Sequence, residues 1–158
     1  MVKYSMKNIG EFNTIIGIKV VRHKEGISIH QEKYVDAIVD RFNMNDAHPA
    51  YVPMLSNVKF TSNMDLIYNP SDLTIKDFPY RQAVGALLYA TQCTRPDINF
   101  SVSKMSQFMN CYNMPHWQGV EQIIRFLRTT KDSGITYKRH SNPDMRNILV
   151  GYSTGGLF

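Results

Sequence analysis

Apolar residues recur with helical spacing in four segments of this chain and cluster as β-branched runs in four others. The clearest segment runs from Tyr80 to Trp117, where two apolar faces lie on either side of Pro96. The first face contains Ala83, Val84, Leu87, Leu88 and Thr91, and the second contains Ile98, Val102, Met105, Phe108 and Met109. This spacing predicts two amphipathic helices. Proline ends one helix and is favoured in the first turn of the next, so Pro96 marks the corner between them, and Asp97 places a negative charge at the start of the second.

Two further helices are predicted over residues 31–42 and 115–130, each with one apolar stripe. The β-branched runs predict four strands. They cover residues 12–21, 27–30, 135–137 and 148–152. Gly17 interrupts the first strand, which predicts either a bulge or a place where another group approaches the backbone. The predicted fold class is α+β, with an N-terminal β-hairpin, four amphipathic helices and a C-terminal strand pair.

The same pattern divides the chain into four stretches. They are a hairpin and helix over residues 1–43, an extended loop over residues 44–79, a helical region over residues 80–131 and a strand region over residues 132–158. The loop is rich in Asn, Asp, Ser and Pro. A loop of this length is expected to serve a function or to be partly disordered, and residues 62–72 are expected to be its most mobile part.

Composition limits the function without identifying it. With 158 residues, 43% of them hydrophobic, the chain is long enough for one packed domain. Its net charge of +5 suits a surface that binds phosphates, and it suits equally well a solvated basic face with no partner. Basic residues occur on the central helices and again late in the chain, at Arg81, Arg95, Lys104, Arg125, Arg128, Lys131, Lys138 and Arg139.

The two cysteines, Cys93 and Cys111, lack the spacing of a zinc or redox motif. Both are therefore expected to be reduced thiols of an intracellular protein, without a structural metal. The sequence contains no apolar run long enough to cross a membrane, and its first residues lack the apolar core of a signal peptide. We therefore expect no membrane partner.

The sequence lacks the motifs of a phosphate-binding loop, a serine nucleophile elbow and a zinc peptidase helix. Asp36 and Asp40 share one helix face, but such a pair is usually a solvated surface feature. Polymerase chemistry requires carboxylates that converge on two divalent ions, and no such set is apparent in the sequence. Its chemistry alone therefore predicts a chain that is not an enzyme and has no cofactor.

Four segments, taken in order, resemble the later half of the reverse transcriptase of copia-type retrotransposon polyproteins. Residues 6–12 (Met-Lys-Asn-Ile-Gly-Glu-Phe) and 15–18 (Ile-Ile-Gly-Ile) resemble the family's Met-Lys-Asp-Leu-Gly-Glu and Phe-Leu-Gly-Ile signature. Residues 27–35 resemble its Ile-x-Leu-x-Gln…Tyr-Ile run. Residues 80–98, which end in Thr-Arg-Pro-Asp-Ile, resemble its most recognisable stretch, and residues 116–130 resemble the helix that follows. The ordered set covers nearly the whole chain.

The resemblance implies contacts with nucleic acid. The hairpin around Ile16, Gly17 and Ile18 would be the primer grip at the edge of the palm, where the backbone holds the end of the primer. The central helix pair would be the thumb, which lies along the minor groove of the primer–template duplex. The contact residues implied there are Arg81, Gln82, Gly85, Arg95 and Lys104. Residues 149–153 resemble the first strand of ribonuclease H.

The resemblance also implies a truncated piece of a longer protein. The fingers and the palm, with the aspartates that bind Mg²⁺ in the parent polymerase, would lie before Met1. Thr154 replaces the first ribonuclease H carboxylate of the family, and threonine lacks the negative charge that holds a divalent ion. We therefore expect a non-catalytic fragment that binds duplex non-specifically. The alternatives are a protein-interaction module prone to self-association and a decaying transposon-derived gene product with no selected activity.

Overall fold

The computed structural model describes residues 10–62 and 78–139, and within them it confirms the α+β class. Four strands form one antiparallel sheet in the order β1-β2-β3-β4. Their bounds are Thr14–Ile15 for β1, Ile18–His23 for β2, Gly26–His30 for β3 and Ile135–Lys138 for β4. The α-helices are Glu32–Arg41 for α1, Tyr80–Cys93 for α2, Asn99–Ser106 for α3 and Met114–Thr129 for α4.

The strand predicted over residues 12–21 is in fact two strands joined by a tight turn. Ile15 pairs with Ile18, so Ile16 and Gly17 alone form the turn, with φ angles of 48° and 77°. Two consecutive residues with positive φ are typical of the two-residue hairpin turn that matches the twist of the flanking strands. The predicted bulge at Gly17 is wrong, because Gly17 lies in this turn. A Cβ atom there would meet nothing within 4 Å, so no other described part of the chain approaches it closely. Glycine is needed at this position for its backbone conformation.

β4 in the C-terminal part of the chain is a strand as expected. It pairs with β3, where Ile27 lies opposite Tyr137 and Ile29 lies opposite Ile135. The Arg139 N–H donates to the Glu25 carbonyl at 2.6 Å and extends the ladder. The second predicted strand, over residues 148–152, lies outside the described residues.

The predicted apolar faces form the core. α4 packs against α1, α2 and α3, and its inward residues Val120, Ile123, Ile124 and Leu127 are fully buried. The α2 and α3 faces are confirmed with two adjustments. Leu88 and Met109 are only half-buried, whereas Tyr80 and Ala90 are fully buried.

The corner between α2 and α3 begins at Pro96, as predicted. Residues Pro96–Ile98 form one turn of 3-10 helix that leads directly into α3, with Pro96 in the first position and Asp97 in the first turn. Asn113 caps the start of α4, and its side chain and that of His116 form a reciprocal capping box.

The described part of the long loop, residues 44–62, contains no helix or strand but is attached to α4. Arg128 Nη1 donates to the Ala47 carbonyl at 2.7 Å, and Gln122 Nε2 donates to the Val52 carbonyl at 2.9 Å. Phe60 is buried in the core beside α4. The loop residues that follow, 63–77, lie outside the described residues, and so does most of the stretch expected to be mobile.

Candidate nucleic-acid interface

The tip of the β1–β2 hairpin lies against α2. The Tyr89 hydroxyl donates a hydrogen bond of 2.7 Å to the main-chain carbonyl of Ile16. The Ile16 side chain is 79% exposed, so the tip is held from one side while its side chain faces solvent. The structure therefore brings the hairpin candidates Ile16, Gly17 and Ile18 next to the helix that carries Arg81, Gln82 and Gly85.

The outward face of α2 leads from its first turn toward the hairpin tip. Gln82 and Gly85 are exposed, and Ala86 and Tyr89 follow at helical spacing and are half-buried. A side chain of α1 supports this part of the helix: the Tyr34 hydroxyl donates to the Ala86 carbonyl at 3.1 Å. The rings of Tyr34 and Tyr89 meet edge to face with centroids 5.0 Å apart. We call Ile16, Gly17, Gln82, Gly85 and Tyr89 the hairpin–helix surface.

Two arginines lie at the α2 end of the hairpin–helix surface. Arg41 Nη2, at the end of α1, donates to Gln82 Oε1 at 3.2 Å. Arg81 is exposed, and it donates to the Met109 carbonyl at 3.0 Å and to Asn110 Oδ1 at 2.8 Å. These contacts fix the direction of both guanidinium groups without neutralising their charge.

A concavity of about 270 Å³ lies beside the hairpin tip. It is lined by Thr14, Gly17, Lys19, Glu32 and Lys33. Two lysines and one glutamate leave this concavity with an excess of positive charge, which favours an anionic group such as phosphate.

Arg95 does not belong to this surface, contrary to the expectation from the sequence. It is only 1% exposed, and its guanidinium donates to both carboxylate oxygens of Asp97 and to the carbonyl and hydroxyl of Thr130. The guanidinium also lies 5.6 Å from the centroid of the Phe126 ring. A phosphate cannot reach a group that is buried and already bonded in this way, so Arg95 has a structural role.

Lys104 lies on α3, where it lines a different concavity with Phe100 and Lys59. Its Nζ atom donates to Gln107 Oε1 at 3.3 Å and lies 5.5 Å from the centroid of the Phe108 ring.

Burial raises the pKa of several tyrosines near these helices. For Tyr34 burial raises the pKa, and the positive charge of Arg41 opposes this rise in part. The pKa of Tyr89 is raised by desolvation and by its contact with the Cys93 thiol. Both hydroxyls therefore remain protonated donors at neutral pH, as the hydrogen bonds to Ala86 and Ile16 require.

Sequence reasoning missed the contributions of Tyr34, Arg41 and Tyr89 to the hairpin–helix surface. A signal for Tyr89 was available, because it follows Gln82 by seven residues and so lies on the same helical face. Tyr34 and Arg41 come from another helix, and the sequence alone does not indicate which side of α1 faces α2.

Within residues 10–62 and 78–139, no group of three or more His, Cys, Asp or Glu side chains is placed to hold a metal ion. In the same part of the chain, no helix is both long and apolar enough to cross a membrane.

Comparison with known proteins identifies the family. The chain is 36% identical over 156 residues to a retrovirus-related Pol polyprotein from transposon TNT 1-94 of Nicotiana tabacum. This alignment covers 98% of this chain and 11% of that protein. It is 33% and 30% identical to the Pol polyproteins from transposons RE1 and RE2 of Arabidopsis thaliana, each alignment covering 87% of this chain and 9% of the relative. No protein-family model and no solved structure matches the chain.

The chain therefore belongs to the retrovirus-related Pol polyproteins of transposons, and the resemblance to retrotransposon polyproteins is confirmed. It spans only about a tenth of the length of these relatives, since the alignments cover 11%, 9% and 9% of them.

Proposed function

We propose that this chain is part of a reverse transcriptase and binds primer–template duplex through the hairpin–helix surface. The observation that carries the proposal is the 2.7 Å hydrogen bond from Tyr89 to the Ile16 carbonyl, because it joins the hairpin tip and α2 into one continuous surface. The resemblance to copia-type reverse transcriptases implies that these two elements are the primer grip and the thumb.

The chemistry of the surface fits the backbone of a duplex. Arg41 contacts Gln82, Arg81 precedes Gln82 in α2, and Lys19 and Lys33 line the concavity beside Gly17. Cations of this kind neutralise phosphates without reading the base sequence. Gly85 presents no side chain, and the space around it is open, since a Cβ atom there would meet nothing within 4 Å. A sugar–phosphate strand can therefore approach the α2 backbone closely at this point.

The proposal concerns binding and does not assign DNA synthesis to these residues. Two-metal polymerase chemistry needs converging carboxylates, and the described residues contain no such group. In the longer relatives, the remaining parts of the polyprotein would supply the fingers, the palm and the Mg²⁺ site. The isolated chain is expected to incorporate no nucleotide above background on a primed RNA template.

Salt dependence tests the proposal. The chain should bind an RNA–DNA hybrid duplex with a dissociation constant of roughly 10⁻⁴–10⁻⁶ M at physiological salt, and the affinity should fall steeply as salt rises from about 50 to about 300 mM. Binding that does not change over this range would contradict a surface that contacts phosphates.

A second candidate function, protein interaction, is favoured by one face of the sheet. The strand register places apolar side chains on that face at Ile15, Ile18, Val20, Ile27, Ile29, Ile135 and Tyr137, which we call the apolar sheet face. Arg22, opposite Ile27, is the charged residue of the described strands on this face. Ile15, Ile27 and Tyr137 are exposed. The opposite face is mostly polar, and Ser28 and Thr136 share a hydrogen bond of 2.9 Å there.

Exposed apolar groups that adjoin one another mark an interaction site. We propose that the apolar sheet face packs against the remainder of the polyprotein in the longer relatives. In the isolated chain the same face would promote self-association.

A further inference from the structure

A groove lies between the loop residues 53–61 and the start of α3. Its volume is about 680 Å³, within the usual range of roughly 300–1,000 Å³ for ligand sites. Its apolar lining includes Met54, Val58 and Phe60, and its polar lining includes Lys59 and Lys104. The described residues leave this groove open to solvent.

Phe100 gives the groove an aromatic surface. It is 76% exposed, although it lies on a helix whose inward residues are fully buried. Packing of the core therefore does not account for this ring, since the inward side of α3 is made by Val102 and Met105. An aromatic ring that is open to solvent offers a face on which a planar group can stack.

The charge of the groove is positive. Asp97 also lines it, but the two hydrogen bonds from the Arg95 guanidinium neutralise that carboxylate. Lys59 is exposed, and Lys104 uses one long hydrogen bond of 3.3 Å to Gln107 Oε1. Since an ammonium group has three donors, Lys104 retains donors for an anionic ligand.

We propose that the groove binds a short single strand of nucleic acid, with one base stacked on Phe100 and the neighbouring phosphates on Lys59 and Lys104. The combination of a stacking ring and phosphate-binding cations is the usual basis of single-strand binding without sequence preference. A duplex is a poorer fit, because its base faces already stack on one another. An uncharged apolar peptide would leave the two lysines without a counter-charge. The inference adds a surface to the proposed function and does not depend on duplex binding.

Fluorescence anisotropy with labelled oligothymidylate and oligouridylate tests this site. Phe100→Ala should weaken binding of the single strands by roughly 5- to 150-fold, the loss expected for one base–aromatic stack, and Phe100→Trp should preserve it. Because Phe100 is so exposed, the alanine variant is expected to stay folded, which circular dichroism checks.

The lysines give an independent readout. Lys59→Gln and Lys104→Gln should each reduce the slope of log affinity against log salt by about 0.7, the contribution of one phosphate contact to a single strand. Lys24→Gln, an exposed lysine in the turn between β2 and β3, is the matched control and should leave the slope unchanged.

A blunt duplex of the same length separates this site from the hairpin–helix surface. Phe100→Ala should leave duplex binding unchanged. If the wild type binds the single strands but does not bind the duplex, only the proposed function is contradicted. The groove inference is wrong if the wild type binds neither single strand at about 10⁻⁴ M, or if Phe100→Ala binds them as tightly as the wild type. It is also wrong if an apolar dye binds at Phe100 and the oligonucleotides do not displace it, since that result indicates a site for an apolar peptide.

Discussion

The Arg95 guanidinium and the Asp97 carboxylate form a two-pronged ion pair, with Nε 2.9 Å from Oδ1 and Nη2 2.7 Å from Oδ2. The other donors of Arg95 reach the carbonyl of Thr130 at 3.0 Å and its hydroxyl at 2.7 Å. One side chain therefore joins the corner between α2 and α3 to the residue that follows α4. The Thr-Arg-Pro-Asp segment therefore holds the corner between α2 and α3 against the end of α4.

Removal of Arg95 is expected to destabilise the fold. Arg95→Ala should lower the free energy of unfolding by about 2–4 kcal/mol, because it leaves Thr130 and Asp97 without their buried donor. Arg95→Lys should recover little of this loss, since an ammonium cannot form the planar two-pronged pair. Urea unfolding measures both values. Arg139→Ala, an exposed arginine after β4, is the control, and a similar effect for the two alanine variants would contradict the structural role.

Two glycines are expected to respond to alanine in opposite directions. Gly17→Ala should destabilise the hairpin by about 1–2 kcal/mol, because its φ of 77° is costly for a residue with a Cβ atom. Gly85→Ala should stabilise the chain by about 0.5–1 kcal/mol, since it lies within α2. Both positions have space for a Cβ atom, so the difference in stability between the two variants reports backbone conformation alone. Thermal unfolding compares the two variants, and a shift of the same sign in both would contradict the assigned turn.

Alkaline pH is expected to weaken the fold through Tyr80. Burial raises the pKa of this tyrosine well above its usual value, and its hydroxyl donates to the Met105 carbonyl at 2.8 Å. Above about pH 10 an unfolded chain loses this proton while the folded chain retains it, so the folded state becomes less stable as pH rises. Tyr80→Phe should make this loss smaller. Unfolding free energies at pH 8 and at about pH 10.5 measure the effect, and identical slopes in the two proteins would exclude Tyr80 as the cause.

Self-association is expected to depend on the apolar sheet face. Tyr137→Lys should reduce the average mass measured by light scattering, because it places a charge among the exposed apolar side chains. Thr136→Lys is the matched control, since the neighbouring residue points to the opposite face. The role of this face is wrong if the two variants behave alike or if the wild type is monomeric at every concentration measured.

Local patterns predicted the helices well. The period of the apolar residues identified α1, α2, α3 and α4, and Pro96 identified the corner, because both signals depend on residues close together in sequence. The Ile16–Gly17 turn was missed because its sequence lacks the usual Asn-Gly or Asp-Gly pair. The pairing of β4 with β3 joins residues more than 100 positions apart, as Ser28 opposite Thr136 illustrates, and no local pattern encodes that choice.

The candidate site was predicted only in part. The hairpin residues and the outward face of α2 do lie together, but no local pattern indicates that Arg95 should be excluded. A basic residue between two helices is usually exposed, and its burial becomes evident only when Asp97 and Thr130 are seen around it. Lys104 lies on the second helix of the central pair, as expected, and there it lines the groove with Phe100.

The central claim is that duplex binds at the hairpin–helix surface, and charge at Gly85 tests it most directly. Gly85→Glu should weaken binding of an RNA–DNA hybrid by roughly fivefold, since a like charge at about 4 Å from a phosphate costs about 1 kcal/mol in water. Gly85→Gln has the same size without the charge and should bind within about twofold of the wild type, and Ser133→Glu adds the same charge in the turn after α4. Anisotropy at low salt should therefore rank Gly85→Glu alone below the others. Equal affinity of Gly85→Glu and Gly85→Gln would contradict the account.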